Sequence, residues 1–279
     1  MPLTCSPLQT YLYICAIINF KIMKKPMLTL CIIPARYAST RFPGKPLANI
    51  LGKPMVQWVY ERAAKAFEHV YVATDDQRIA DAVSAFGGKF VITSTEHKSG
   101  TDRCAEALDK IQIQTKKVFD IVLNIQGDEP FVHAEHLLML VKPFSKKDVD
   151  IATLVKPFST NEDIFNPNSP KVVVSANGKA LYFSRSVIPH VRGVEIAQWA
   201  SEHTYFKHLG LYAYRSNVLM DISKLEQSPL EKAESLEQLR WLENGYTIYA
   251  GKTNIETIAI DTPADLERAI AWAEKNEKF

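Results

Sequence analysis

The sequence predicts an α/β fold: a mostly parallel or mixed sheet flanked by helices, carrying an antiparallel β extension. Three observations predict it. Short, continuously apolar runs alternate with amphipathic helical stretches between positions 28 and 126, the cadence of βαβ units. After Asp150 the helices give way to strand-like segments that include an Asn177-Gly178 pair, a strong hairpin signal. Of the 279 residues, 47% are hydrophobic and 23% charged. That balance supports a buried core and excludes disorder, collagen and coiled coil.

The elements follow in order. LTLCII (28–33) is apolar without alternation, as a strand buried on both sheet faces should be. A loop rich in Pro, Gly, Arg and Lys comes next. From Pro54 to about Phe67, Met55, Val59 and Ala63 fall at helical spacing. HVYVAT (69–74) is a second strand, and 75–87 a second helix closed by Gly87. A strand at 90–94, a helix near 102–113 and a strand at 118–126 continue the alternation. Segments 151–158, 171–185 and 208–219 are strand-like, so that 151–220 reads as an antiparallel sub-lobe of one domain covering 23–279. Ser228-Pro229-Leu230-Glu231 is a capping box with proline at the first helical position. It predicts a helix to about Glu243, with Leu230, Ala233, Leu236 and Leu239 inward. TIAI (257–260) reads as a strand ending at Asp261, and Thr262-Pro263-Ala264-Asp265 caps a last helix to about Glu274.

Residues 8–20, LQTYLYICAIINF, are apolar and uncharged, with Lys21, Lys24 and Lys25 behind them. The run is short for a bilayer span. A secretory signal carries its charge in front and a small-residue cleavage site behind, and neither is present, which leaves a signal anchor as the lesser alternative. The expectation is a start upstream of the working chain, with Met23 or Met27 opening it and 1–22 a non-native or disordered extension. Thirty-three basic against 31 acidic residues leave a net charge of +2 without a long basic run, which argues against nucleic acid as a partner. Cys5, Cys15, Cys31 and Cys104 are scattered, with no CxxC pair. Reduced thiols in a cytoplasmic protein, with no membrane partner, are expected.

Chemistry concentrates in three places. The first loop, Pro34 to Pro46, holds Arg36, Arg41 and Lys45 among Ser39, Thr40 and Gly44. It lies just beyond the carboxyl end of the first strand, where open α/β sheets bind ligands. Guanidinium forks, a lysine and exposed amides suit a polyphosphate, although a basic surface loop is the plainer alternative. A Walker A loop fails on Ser39 and Pro46, and no G-x-G-x-x-G exists. Gln126-Gly127-Asp128-Glu129-Pro130 follows another buried strand, and Asp261 ends TIAI. Two such aspartates suit one Mg²⁺ shared with phosphate oxygens. Alternatively Glu129 turns the chain, and Asp261 answers a helix dipole. His133 and His136 lack a third ligand and read as helix-start polar residues. Ser99 to Arg103 opens a helix with hydroxyls in reach of a nucleotide. Tyr182, Tyr212 and Tyr214 fit strand packing as well as sugar stacking.

Read together and in order, IIPARYASTRFPGKPL (32–47), HKSGTDR (97–103), NIQGDEP (124–130), FNPNSPKVV (165–173), ALYFSR (180–185), HLGLYAYR (208–215), SPLE (228–231), LEQLR (236–240) and DTPADLE (261–267) resemble the 3-deoxy-manno-octulosonate (Kdo) cytidylyltransferases. The resemblance covers essentially all of 28–274, and the first 22 residues have no counterpart in it. It implies a nucleotide-diphospho-sugar transferase-like fold, a homodimer joined partly through the antiparallel region, and CMP transfer from CTP to Kdo with Mg²⁺. It also implies roles. Arg36, Ser39, Arg41 and Lys45 would bind the triphosphate, and Asp128 and Asp261 the magnesium. His97, Ser99, Gly100 and Thr101, with the backbone at Pro34 and Ala35, would hold cytidine. Gln126, Arg185, His208, Tyr212, Glu237 and Gln238 would line the Kdo pocket. The nearest rival is a cytidylyltransferase for another acidic sugar, an 8-amino variant of Kdo or an acylneuraminate. A metal-dependent glycosyltransferase would show D-x-D where Asp128-Glu129-Pro130 stands, and a mere nucleotide sensor would have no use for Asp261.

Overall fold

The first strand, β1 (Thr29–Ala35), divides its side chains between two cores. Leu30 and Ile32 join Leu108, Val122, Phe183, Tyr214 and Trp241 on one face. Cys31, Ile33 and Ala35 join Val56, Val72, Leu123 and Leu140 on the other. A strand covered on both faces has no wet side, and its sequence is apolar throughout. The computed structural model describes residues 27–38, 41–160 and 162–275. The proposed extension 1–22 and Ser39 lie outside the described residues.

Around β1 the chain lays down α1 (Met55–Ala64), β2 (Val70–Thr74), α2 (Gln77–Ala85), β3 (Phe90–Ile92), α3 (Gly100–Thr115), β4 (Ile121–Asn124) and α4 (Ala134–Val141). β5 (Ile151–Pro157), β6 (Lys171–Val174), β7 (Ala180–Ser184) and β8 (Phe206–Arg215) come next. Then follow α5 (Ser216–Ile222), α6 (Pro229–Glu234), α7 (Glu237–Glu243), β9 (Ile248–Lys252) and α8 (Pro263–Lys275). Among the described residues a nine-stranded sheet results, in the order β9-β5-β8-β4-β1-β2-β3, with β6 and β7 hanging from β8. β4, β1, β2 and β3 run parallel. β8 is antiparallel to both β4 and β5, and β9 returns parallel to β5. The sheet is therefore mixed, as the sequence predicts. Of the segments in 151–220, β5 and β8 are interior strands of the main sheet, and the β6–β7 hairpin alone extends from it. Its turn needs Gly178, whose φ is 88° and whose missing Cβ would lie 2.6 Å from the Tyr249 ring.

Three local expectations are corrected. The strand expected over 208–219 stops at Arg215, because Ser216 N–H turns to the carbonyl of Asp120 (3.1 Å) and Val218, Leu219 and Ile222 are buried on one face of a helix. The helix expected to Glu243 breaks at Ser235, at φ 49°. The carbonyls of Glu234 and Ser235 freed there accept from the Arg185 guanidinium, at 2.6 and 3.2 Å. TIAI forms no strand: Ile260 packs with Ile50, Met55, Phe131 and Ala269 rather than on the sheet. β9, by contrast, has no counterpart in the sequence reading.

Candidate active site

The carboxyl ends of β1 and β4, which are adjacent in the sheet, open into one cleft. Past β1 the chain closes a loop through Gly44 N–H to the carbonyl of Tyr37, 2.9 Å. Gly44 has φ 71°, and a Cβ there would stand 3.1 Å from the Tyr37 ring, so the closure needs glycine. Lys45 then begins a single 3₁₀ turn, Lys45–Leu47. Past β4, Ile125 N–H extends the ladder to Ile32 (2.9 Å), and Glu129 N–H folds back on Gln126 (3.2 Å). This turn delivers Asp128 beside Lys45.

The Lys45 ammonium, only 14% exposed, lies 2.7 Å from Asp128 Oδ2 and 3.3 Å from Asp261 Oδ1. Arg41 meets the same Asp261 oxygen at 3.0 Å. Asp261 reaches the cleft from an irregular segment rather than a strand end. Ile260 N–H donates to the carbonyl of Asp128 at 2.9 Å, and Asp265 Oδ2 accepts from the N–H groups of Asp261 and Thr262 at 3.1 and 2.8 Å. Glu129 turns inward instead of toward the cleft. Burial, with the neighbouring Asp128 charge, pushes its carboxyl up to about 8.

The opposite wall is the start of α3. Ser99 caps it: its hydroxyl accepts from Asp102 N–H (3.1 Å) while Asp102 accepts from Ser99 N–H (3.2 Å). His97 is held by Glu106, whose Oε2 also accepts from Ser94 N–H at 2.9 Å. Burial works against the Glu106 charge, but Lys110, Ser94 and His97 hold the carboxyl down at about 2. Pro34, Ala35, Arg36, Arg41, Lys45, His97, Ser99, Gly100, Gln126, Asp128 and Asp261 all line this one cleft. Thr101 does not. Its hydroxyl points away and donates to Glu237 Oε2, 2.9 Å.

That bond links the cleft to a second group of residues behind α3. Tyr212 stands opposite Asn124 in the β8–β4 register. Its ring lies 5.3 Å from His208 and 5.1 Å from Trp241, centroid to centroid. His208 reaches the Thr153 hydroxyl at 2.9 Å, and burial pushes its imidazole down to about 3. Burial raises Glu237, against the pull of Thr101 and Arg240. The hydroxyl of Tyr212 and the amide nitrogen of Gln238 are buried with no hydrogen-bond partner among the described residues. Arg185 is spent on main-chain carbonyls, Pro167 among them at 2.9 Å.

A family model described as cytidylyltransferase matches residues 30–257. A 3-deoxy-manno-octulosonate cytidylyltransferase of Parabacteroides distasonis is 58% identical over 245 residues, 86% of this chain and 96% of the relative. The chain belongs to the 3-deoxy-manno-octulosonate cytidylyltransferase family. A Porphyromonas gingivalis member is 55% identical over 87% of this chain and 95% of its own length. A solved CMP:2-keto-3-deoxy-manno-octonic acid synthetase in complex with CTP superposes at TM-score 0.80, with 43% identity, 89% of this chain and 99% of that one covered. A putative glucose-1-phosphate thymidylyltransferase of Bacillus anthracis, at 17% identity and TM-score 0.59, shares the fold, with 88% of this chain and 95% of that one covered.

Four residues that line the cleft, Pro46, Lys98, Arg103 and Gly127, have no role in the sequence reading. Arg103 lines the cleft almost fully buried, its guanidinium on Thr93 Oγ1 (2.6 Å) and Asp75 Oδ2 (2.8 Å). Its position one helical turn after Ser99 is the signal that would have found it. Gly127 lies against β1, where a Cβ would come 2.9 Å from the carbonyl of Pro34.

Proposed function

We propose that the protein transfers CMP from CTP to the anomeric 2-hydroxyl of 3-deoxy-D-manno-octulosonate, releasing pyrophosphate and activating the sugar for lipopolysaccharide synthesis. The observation that carries this reading is the meeting of Arg36, Arg41 and Lys45 with Asp128 and Asp261 in one cleft of a chain with such relatives. The sugar hydroxyl oxygen attacks the α-phosphorus in line. It loses its proton as the new P–O bond forms, and the bond to the β-phosphate oxygen breaks toward pyrophosphate. Such a transfer is catalysed mainly by positioning and by charge placed where charge moves. Arg41 and Lys45 answer the charge of the departing pyrophosphate, and Arg36 grips the triphosphate. His97, Ser99 and Gly100, with the main chain at Pro34 and Ala35, hold the cytidine end, and Thr101 joins this wall to Glu237 behind it. Gln126, Arg185, His208, Tyr212, Glu237 and Gln238 shape the sugar site.

Mg²⁺ fits the residues present. Asp128 and Asp261 already converge on one cation, the Lys45 ammonium. Among the described residues no cluster of three or more metal-ligating side chains forms, and two carboxylates are what Mg²⁺ commonly takes from a protein that also offers it phosphate. When bound there, Mg²⁺ would neutralise phosphate charge and acidify a nearby hydroxyl. The reading includes a homodimer, for which exposed Leu181 and Ile196 in the antiparallel region offer apolar surface. It also includes a cytoplasmic place of work. Support there comes from Cys31 and Cys104, both buried free thiols, and no described helix is long and apolar enough to cross a membrane. Pyrophosphate release, measured with CTP, UTP and ATP against Kdo, its 8-amino variant and N-acetylneuraminate, tests the whole. Release that needs CTP and Kdo supports it; release with another acceptor alone, or none, overturns it.

A further inference from the structure

Asp261 sits at the end of a segment that the sheet does not hold. After Thr253, whose N–H reaches the Val155 carbonyl at 3.0 Å, the chain leaves β9 and crosses to the cleft. Among the described residues, the main chain from Glu256 to Ala259 makes no hydrogen bond until Ile260 meets Asp128. The polar attachment in this stretch is the side chain of Glu256. Its carboxylate pairs with Lys156 at 2.8 Å and with Lys207 at 2.9 and 3.2 Å. These lysines face each other in the β5–β8 register, and their side chains are only 11% and 12% exposed. Two buried, adjacent ammonium groups repel unless carboxylates lie between them. Glu256 supplies one carboxylate, and Glu162, paired with Lys207, supplies the other. Burial opposes the charge on both acids, but the lysines keep both carboxyls below their ordinary range. The cluster is thus charge-balanced, and it depends on the crossing segment being in place.

We propose that Glu256, clamped by Lys156 and Lys207, is a positioning residue that sets where Asp261 stands opposite Asp128. The clamp also joins two sides of the site. Lys207 ties the Asp261 segment to Glu162, and Glu162 belongs to the stretch after β5 on which Arg185 rests through the Pro167 carbonyl. Loss of the clamp takes away the ion-pair anchor of the segment between Thr253 and Ile260 and leaves it the packing of Ile258, and a displacement of the order of 1 Å at a carboxylate is enough to matter to binding or catalysis. The inference rests on the reading of Asp128 and Asp261 as a divalent-cation pair.

The test is CTP binding by titration calorimetry, with and without Mg²⁺, on the full chain. In the wild type, Mg²⁺ should strengthen CTP binding. In Glu256→Gln that gain should shrink by about tenfold, while binding of CTP alone stays unchanged. In an Asp261→Asn background, adding Glu256→Gln should cost nothing further, because residues acting through one another are not additive. Lys207→Met should reproduce the effect, and Lys207→Arg should rescue it in part. Unfolding midpoints of each variant show that folded protein is being compared. A full Mg²⁺-linked gain in both Glu256→Gln and Lys207→Met overturns the clamp, as does an equal loss with and without Asp261. A wild type whose CTP affinity ignores Mg²⁺ overturns the cation reading itself, and the clamp with it.

Discussion

Lys45 places its ammonium 2.7 Å from Asp128 Oδ2, joining the loop after β1 to the turn after β4 across the floor of the cleft. The lysine is mostly buried, but one side of the pair opens to solvent. Part-exposed ion pairs contribute little to folding, about 1 kcal/mol or less. A charge aimed at developing charge contributes several-fold more to a barrier. Lys45→Ala should therefore lower kcat/KM by roughly 10²- to 10³-fold, while the unfolding midpoint moves by only about 2–4 °C. Pyrophosphate-release kinetics beside a thermal melt check both; an unchanged rate would remove the loop from the phosphates.

Asp128→Asn keeps the shape and the main-chain carbonyl that accepts from Ile260 N–H, but gives up the charge. Turnover should vanish with circular dichroism and melting point near the wild type. Wild-type rates at saturating CTP and Mg²⁺ would overturn the role of this carboxylate.

Much of this was legible because burial leaves a periodic trace. The two-faced burial of β1, β2 and β4 produces unbroken apolar runs, and Ser99, Ser228 and Thr262 announce their helices through local capping chemistry. The misread parts are those where distant contacts decide. TIAI has the β-branched alternation of a strand, but its apolar side faces Ile50 and Phe131. The helix break at Ser235 depends on Arg185, fifty residues away. β9 contains Gly251, which weakens its strand signal; a Cβ there would come within 3.0 Å of Leu154. Within the site, the cationic loop and both aspartates show in the sequence, whereas the turning of Thr101 toward Glu237 depends on α7 packing behind α3.

Gly127→Ala should be damaging in a way its size does not suggest. The added methyl would press on the backbone oxygen of Pro34 at 2.9 Å, and neither side of that contact is a flexible tip. Overpacking of this kind costs about 1–3 kcal/mol, and here it displaces the end of β1 in the cleft. The KM for CTP should rise together with a loss of stability in urea. A variant with wild-type KM would show that the two turns can part without consequence.

His136 gives the fold an acid limit. It is fully buried, with Nε2 on the Thr253 hydroxyl at 3.2 Å. Burial first, and then the charge of His133, push it down to about 4 from an ordinary 6.5. Between those values the unfolded chain takes a proton that the folded chain refuses. Stability is present above about pH 6.5 and declines as pH falls toward 4, by up to about 1.4 kcal/mol per pH unit for the one group. His136→Gln should flatten the urea-midpoint profile in that window, and the wild-type His136 ring resonance should not titrate above pH 5. A resonance that titrates near 6.5 would contradict the buried, neutral state.

The interior place of β8 has a consequence for biosynthesis. β4, which leads into Gln126 and Asp128, has β1 on one side and β8 on the other, and β8 ends only at Arg215. While the chain is being made, β1 to β4 can pair in order, but one edge of β4 stays open for some ninety residues of synthesis. Non-local pairing of this kind is slow, and an uncovered strand edge invites other chains. The half of the molecule that carries the cationic loop is therefore the half most exposed to aggregation during translation, until β8 is inserted beside β4.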